Sequence, residues 1–268
     1  MTGTASVNPR KVFPMSFRRF LTAALGVAGS LVVASPLASQ PLDAHTKRPI
    51  VVELYTAQGC SSCPPADALL GQLANRKDLL ALSLPVTYWD MLGWRDTLAS
   101  EANTRRQKAY SKELGRGGIY TPQMIVDGTT DVIGGREQAV RSAIAARAND
   151  APAVPVELAA NRQQVRIGVG AAPDHGSHEA TVWLLGILPQ ATVNITDGEN
   201  GGHTITYHNV VREIRPVGVW KGQPFAVSVP RAAVGPPHDS IAVLVQQGGY
   251  GRVVGAALID RPNYYSIR

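Results

Sequence analysis

The chain contains two cysteines among its 268 residues, and two serines separate them in the run Cys60-Ser61-Ser62-Cys63. Residues 49–55, which precede this run, are apolar and rich in β-branched side chains, a pattern typical of a buried strand. Residues 66–75, which follow it, carry leucines at helical spacing. A cysteine pair at such a junction indicates redox chemistry, because the unpaired N–H groups at a helix N-terminus favour a thiolate over a thiol.

The small number of cysteines restricts the alternatives. A single CxxC cannot complete a four-cysteine zinc site, and no histidine pair at zinc-finger spacing accompanies it, so we expect neither a metal nor a cofactor. In a redox pair, Cys60 is the nucleophile and Cys63, one turn deeper, is the resolving thiol. The competing interpretation is a non-enzymatic secreted protein that binds or supports other molecules and carries Cys60–Cys63 as a static disulfide.

Residues 1–40 have the pattern of an export leader. Basic residues at positions 10–11 and 18–19 precede an uncharged apolar run at 20–34, which is shorter than the roughly 20 residues of a membrane-spanning helix. The pair at 18–19 also resembles a twin-arginine signal. We therefore predict a periplasmic or secreted protein, attached to the membrane only if the leader stays uncleaved.

The net charge of +6 could indicate a nucleic-acid partner, but the 26 lysines and arginines are scattered along the chain. A nucleic-acid surface needs basic residues clustered on one face. The composition therefore predicts no nucleic-acid binding.

Helical and strand patterns alternate up to residue 150. Residues 79–88 are typical of a second buried strand, and 97–114 and 136–148 of amphipathic helices. Residues 123–133 predict a hairpin around an Asp-Gly turn. The order β-α-β-α-β-β-α predicts an α/β domain of the thioredoxin-like type over 48–150, with a mixed sheet whose core is largely parallel.

A proline-containing linker at residues 151–155 marks a change of pattern. Beyond it, short runs of alternating polarity are separated by glycine-rich turns, including one at residues 196–202. Evenly spaced strands of this kind predict a mostly antiparallel β-sandwich. We assign it to an all-β domain at residues 153–268.

Two separated segments resemble glutaredoxins: residues 52–63, which end in the CxxC, and residues 121–128, which begin Thr121-Pro122. The resemblance implies a cis-proline loop beside the cysteines, with the Thr121 backbone offered to a substrate peptide as a strand-like edge. The resemblance continues through Ile133-Gly134-Gly135, but the chain is longer than glutaredoxins between the two segments. Gly135 is also followed by Arg136-Glu137, at the place where glutaredoxins often carry acidic residues near glutathione. These departures argue against glutathione as the physiological partner.

Most of the chain after the leader resembles a family of secreted bacterial proteins, domain-of-unknown-function family 1223. That family is considered thioredoxin-like, so the resemblance implies the same fold but no established reaction. The segments that carry the resemblance are residues 58–67, 88–90, 93–94, 120–123, 198–201 and 209–212.

Further candidates lie at the end of the second predicted strand. Tyr88, Trp89 and Asp90 leave that strand where ligands bind in open α/β sheets, so they are expected at the rim of the site. Trp89 could hold a substrate and Asp90 could assist proton transfer to Cys63; alternatively Trp89 packs and Asp90 caps a turn. Glu53 is either a buried proton acceptor or an exposed carboxylate.

The patterns together favour an exported thiol–disulfide oxidoreductase. Its expected partners are protein thiols or disulfides, or small thiols. Neither the substrate nor the direction of the reaction follows from the residues.

Overall fold

The computed structural model describes residues 48–148, 150, 153–173, 179–234 and 240–260. The predicted leader at residues 1–40 lies outside these ranges. The elements, in chain order, are β1 (Ile50–Thr56), α1 (Pro64–Ala74), β2 (Leu79–Pro85), α2 (Glu101–Glu113), β3 (Gln123–Val126), β4 (Thr130–Ile133), α3 (Glu137–Arg147), β5 (Val156–Ala160), β6 (Gln164–Val169), β7 (Ala180–Asn194), β8 (Thr204–Trp220), β9 (Phe225–Pro230), β10 (Ser240–Gln247) and β11 (Val253–Asp260).

The first seven elements surround β1. This strand is buried along its whole length and pairs in parallel with β2 and antiparallel with β3, and β4 pairs with β3 to complete the order β2-β1-β3-β4. Helices α1 and α3 pack on one face of these strands through Leu70 and Val140. Helix α2 packs on the other face through Tyr110. The CxxC lies in the connection between β1 and α1.

Two predicted boundaries differ from the observed ones. The second strand ends at Pro85, and helix α2 begins at Glu101 rather than at residue 97. The carboxylate of Asp96 accepts hydrogen bonds from the N–H groups of Leu98 and Ala99, which holds the intervening segment as a turn. Ser100 then caps the helix by accepting from the Asn103 N–H.

The sheet continues from β2 into the second half of the chain. Strand β8 pairs in parallel with β2 at Ser83 and Val210, which gives an eight-stranded order β11-β10-β7-β8-β2-β1-β3-β4. The side chain of Asn209 strengthens this short joint by donating to the Ala81 carbonyl at 2.9 Å. Helix α1 crosses β8 so closely that a Cβ at Gly71 would lie 2.7 Å from the ring of His208.

The observed sheet corrects the expectation of a largely parallel core. Only β1–β2 and β2–β8 are parallel, and the other pairs in this sheet are antiparallel. The sheet is nevertheless mixed, as predicted. It runs across the predicted domain boundary near residue 150, so the division into two domains stays a prediction.

A smaller antiparallel sheet, β5-β6-β9, covers the far end of the large one. Val165 and Ile167 of the small sheet share a buried apolar cluster with Val182 and Val243 of the large sheet. Strand β5 follows the linker at residues 151–155 directly. Within the described ranges, no helix is both long and apolar enough to span a membrane.

Candidate active site

Cys60 and Cys63 form a disulfide in the turn between β1 and α1, with their Cα atoms 5.4 Å apart. Cys63 is the N-cap of α1, and Pro64 occupies the first helical turn, where no N–H partner is lost. Both cysteines are fully buried, whereas Ser61 and Ser62 between them are exposed. The pair therefore lies at the end of the helix, just beneath the surface.

The side chain of Ser62 contacts Cys60. Its hydroxyl lies 3.4 Å from the sulfur of Cys60, within the range of a hydrogen bond to sulfur. A hydroxyl that donates to this sulfur stabilises a Cys60 thiolate more than a thiol, because it is drawn to the developing negative charge.

Trp89 connects the CxxC turn to the loop that contains Thr121 and Pro122. The Trp89 indole N–H donates to the Thr121 hydroxyl at 2.8 Å. A Cβ at Gly59, next to Cys60, would lie 3.4 Å from the Cβ of Trp89. The Thr121–Pro122 peptide bond is cis. The structure thus brings together two segments that are about sixty residues apart in the chain.

The other two rim candidates have different surroundings. Tyr88 is half-buried and packs against the apolar cluster that contains both cysteines, and burial raises the pKa of its hydroxyl. The carboxylate of Asp90 accepts from the Asp96 N–H at 3.1 Å. This contact fits the turn-capping interpretation of Asp90 rather than proton transfer.

The loop between β7 and β8 also reaches the CxxC, which sequence reasoning missed. The buried Asn200 side chain donates to the carbonyls of Gln58, at 2.8 Å, and of Cys60, at 2.9 Å. The exposed carboxylate of Glu199 accepts from the Ser61 N–H at 3.1 Å. The only signal in the sequence was the resemblance of residues 198–201 to a known family, since nothing local connects a glycine-rich turn with cysteines about 140 positions away.

A buried acidic side chain lies one helical turn behind Cys63. The Asp67 N–H donates to the Cys63 carbonyl, and one Asp67 oxygen accepts from the Thr56 hydroxyl at 3.1 Å. Among the described residues, its other oxygen has no hydrogen-bond partner. Burial raises the pKa of Asp67 well above its usual range, against the Thr56 hydrogen bond, and Asp96 raises it further.

Asp67→Asn is expected to flatten the pH dependence of stability. Because folding raises the pKa of Asp67, its contribution to the free energy of unfolding is fully present below the ordinary pKa of an aspartate and is lost as pH rises through the folded pKa. The loss is about 1.4 kcal/mol for each unit between the folded and unfolded pKa values. Urea unfolding between about pH 4 and about pH 8 measures it.

The matched control for this prediction is Asp78→Asn, because Asp78 is an exposed carboxylate paired with Arg76. Its pKa is lowered by the hydrogen bond from that arginine, so its contribution has the opposite sign and is small at the surface. Equal pH dependence in wild type and Asp67→Asn would contradict the assignment of a raised pKa to Asp67.

Glu53 is buried, which corrects the alternative of an exposed carboxylate. It accepts from Arg106 at 2.6 and 3.1 Å and from the Tyr110 hydroxyl at 2.5 Å. Arg106 also donates to Gln246 of β10 at 2.9 Å. Glu53 and Arg106 therefore form an internal ion pair that connects β1 with α2, and Arg106 extends the connection to β10. Glu53 is not a free proton acceptor, because an arginine holds both of its oxygens.

Comparisons with known proteins give a family and a fold. The model of the family described as protein of unknown function (DUF1223) matches residues 51–246. A crystal structure of a protein from Agrobacterium tumefaciens is similar, with 33% identity and a TM-score of 0.68 over 82% of this chain and 96% of that one. HBP35 of Porphyromonas gingivalis shares the fold alone, with 13% identity and a TM-score of 0.59 over 83% of this chain and 78% of that one. No curated protein matches the sequence.

Proposed function

This chain belongs to the DUF1223 family of proteins of unknown function, and we propose that it is an exported, thioredoxin-like thiol–disulfide oxidoreductase. The observation that carries the proposal is that Trp89 packs against the apolar cluster that contains both cysteines and donates a hydrogen bond to Thr121. The strand order β2-β1-β3-β4, with the cysteines between β1 and α1, supports a thioredoxin-like fold. The leader pattern in residues 1–40 supports export to the periplasm or secretion.

The reaction proceeds through a mixed disulfide. The Cys60 thiolate attacks one sulfur of a partner disulfide, forms a new S–S bond with it and expels the other partner sulfur as a thiolate. Cys63 then loses its proton, attacks the Cys60 sulfur and closes the Cys60–Cys63 bond while the second partner sulfur leaves. The partner gains two electrons and the protein pair loses them, and the reverse sequence oxidises a partner dithiol.

In this mechanism Asp67 is the proposed acceptor of the Cys63 proton. It follows Cys63 by four residues in α1, so the two side chains share one face of the helix. Its unpartnered oxygen and its raised pKa suit a carboxyl that alternates between the protonated and ionised forms.

Exposed apolar side chains close to Trp89 in the chain suit a polypeptide partner. Met91 and Leu92, which follow Trp89, are 83% and 49% exposed. These exposed apolar side chains, which lie two and three residues after Trp89 in the chain, would contact the side chains of a peptide whose backbone pairs with the Thr121 loop. The proposed substrates are therefore protein thiols or disulfides, with small thiols as the simpler alternative.

A static disulfide in a secreted binding protein is the second candidate. It is favoured by one observation, the complete burial of Cys60 and Cys63 in an apolar cluster. Exchange requires a partner sulfur to approach this bond, so an active protein must expose it transiently.

The reduction potential of Cys60–Cys63 distinguishes the two candidates. Equilibration of the protein with dithiothreitol or glutathione buffers, followed by alkylation of free thiols, gives the reduced fraction. We expect a potential between roughly −120 and −270 mV, the range of exchange-active pairs. A value below about −300 mV would identify a structural bond and overturn the enzymatic proposal.

A further inference from the structure

The β7–β8 loop is held against the CxxC by two consecutive side chains, Glu199 and Asn200. The loop is closed by backbone hydrogen bonds between Ile195 and His203 and between Gly202 and Ile195, at 2.9 and 2.8 Å. The Asn200 side chain donates hydrogen bonds to the carbonyls of Gln58 and Cys60, and the Glu199 carboxylate accepts one from the Ser61 N–H. A segment from the second half of the chain thus forms hydrogen bonds with the backbone polar groups around Cys60.

We propose that Glu199 is a positioning residue that lowers the reduction potential of Cys60–Cys63 by holding the Ser61 N–H with a negative charge. The inference rests on the proposed function in requiring that the pair be reduced and reoxidised. It assigns a redox role to the β7–β8 loop.

The physical reason is competition for a hydrogen-bond donor. A thiolate at Cys60 gains stability from the backbone N–H groups that follow it, and Ser61 supplies the first of these. In this structure that N–H is held by the Glu199 carboxylate. The carboxylate also repels a thiolate formed beside it, so Glu199 disfavours the reduced form and stabilises the disulfide by comparison.

Asn200 makes this arrangement persistent. Glu199 is exposed, and an exposed carboxylate alone would exchange its partner for water. Its neighbour Asn200 is buried and makes two hydrogen bonds to the CxxC turn, which keeps the Glu199 backbone in place. Hydrogen bonds from Ser61 also hold the pKa of Glu199 below its usual value, so this carboxylate is ionised at neutral pH.

The other acidic groups around the motif have different contacts. Asp67 of α1 and Asp96 of the loop before α2 are buried, and burial raises the pKa of each. Asp197, in the same loop as Glu199, accepts from the Gly198 N–H. Asp197 therefore provides a matched control, since it is an acidic residue of this loop whose bond stays within the loop.

The test compares the full-length wild-type chain with Glu199→Gln and Asp197→Asn in dithiothreitol buffers. Reduction transfers two electrons from one dithiothreitol to the protein disulfide, and two protons follow to give two thiols and cyclic oxidised dithiothreitol. Glutamine keeps an oxygen that accepts the Ser61 N–H but removes the charge. We expect Glu199→Gln to raise the equilibrium constant for reduction by about two- to fivefold, the usual range for an exposed charge.

Two further readouts exclude a merely structural effect. The Cys60 thiol pKa, followed by thiolate absorbance, should fall in Glu199→Gln and stay at its wild-type value in Asp197→Asn. The difference between wild type and Glu199→Gln should shrink in about 1 M salt, where the screening length is about 3 Å.

Equal equilibrium constants and equal Cys60 pKa values in wild type and Glu199→Gln would overturn the inference, as would an equal shift in Asp197→Asn. A wild-type potential in the range of structural disulfides would contradict the proposed function instead. The ratio between variant and wild type would still be measurable in that case, so the two failures are distinguishable.

Discussion

Cys63→Ser is expected to leave partners covalently attached to Cys60. Without the resolving thiol, the mixed disulfide formed by attack of Cys60 has no internal route to release its partner. A tagged, exported variant should therefore run as high-molecular-weight bands on non-reducing gels, and these bands should disappear on reduction. Mass spectrometry of the purified bands would identify the partners and would show whether they are proteins with apolar segments next to their cysteines.

Cys60→Ser is the matched control, because it removes the nucleophile and leaves Cys63 alone. Cys63 is the buried N-cap of α1, so we expect few or no adducts from this variant. If Cys63→Ser formed no adducts in the compartment where the wild-type protein is found, the exchange mechanism would be contradicted. Equal trapping by both variants would show that the cysteines react without the assigned roles.

Glu53→Gln is expected to lower the free energy of unfolding by about 3–5 kcal/mol, the usual cost of removing one partner of a buried ion pair. Glu53 and Arg106 are at most 2% exposed. Glutamine keeps the shape of the side chain but leaves the arginine charge uncompensated in the interior. Arg106 also lies 5.1 to 5.7 Å from the ring centres of Tyr110, Trp183 and Tyr250, so its displacement disturbs the packing of α2 against the second half of the sheet.

Urea unfolding measures this loss, with Glu137→Gln as the control. Glu137 and Arg141 form an exposed pair one helical turn apart, for which the expected loss is about 0.3–0.5 kcal/mol. The double variant Glu53→Gln with Arg106→Met removes both charges and should recover part of the lost stability. A Glu53→Gln protein as stable as Glu137→Gln would show that the buried pair contributes little.

The helices and strands of the first half can be predicted from the sequence, because each is encoded by a pattern within its own few residues. A run of β-branched residues predicts β1, the leucines at helical spacing predict α1, and the Asp-Gly turn predicts the β3–β4 hairpin. Errors arose where a side chain overrides the pattern. At the start of α2, the Asp96 carboxylate holds residues 97–100 as a turn that helical periodicity cannot reveal.

No sequence pattern predicts the pairing of β2 with β8, which joins the first half of the chain to the second. Strand β8 meets β2 through one residue pair, Ser83 and Val210, and through the Asn209 side chain. Alternation of polarity shows that a strand has a buried face, but it does not specify which distant strand lies beside it. The change of pattern near residue 150 therefore predicts a domain boundary, but it does not predict that β8 joins the sheet of the first half.

At the CxxC, too, some features follow from the sequence and others only from the tertiary structure. The sequence by itself determined the cysteine pair, its place between a strand and a helix and, through a resemblance, the loop at Thr121 and Pro122. Only the tertiary structure placed Trp89 between those segments and brought Glu199 and Asn200 onto the turn. Helix and strand signals act over a few residues, whereas these contacts depend on how distant strands pair, which no local pattern encodes.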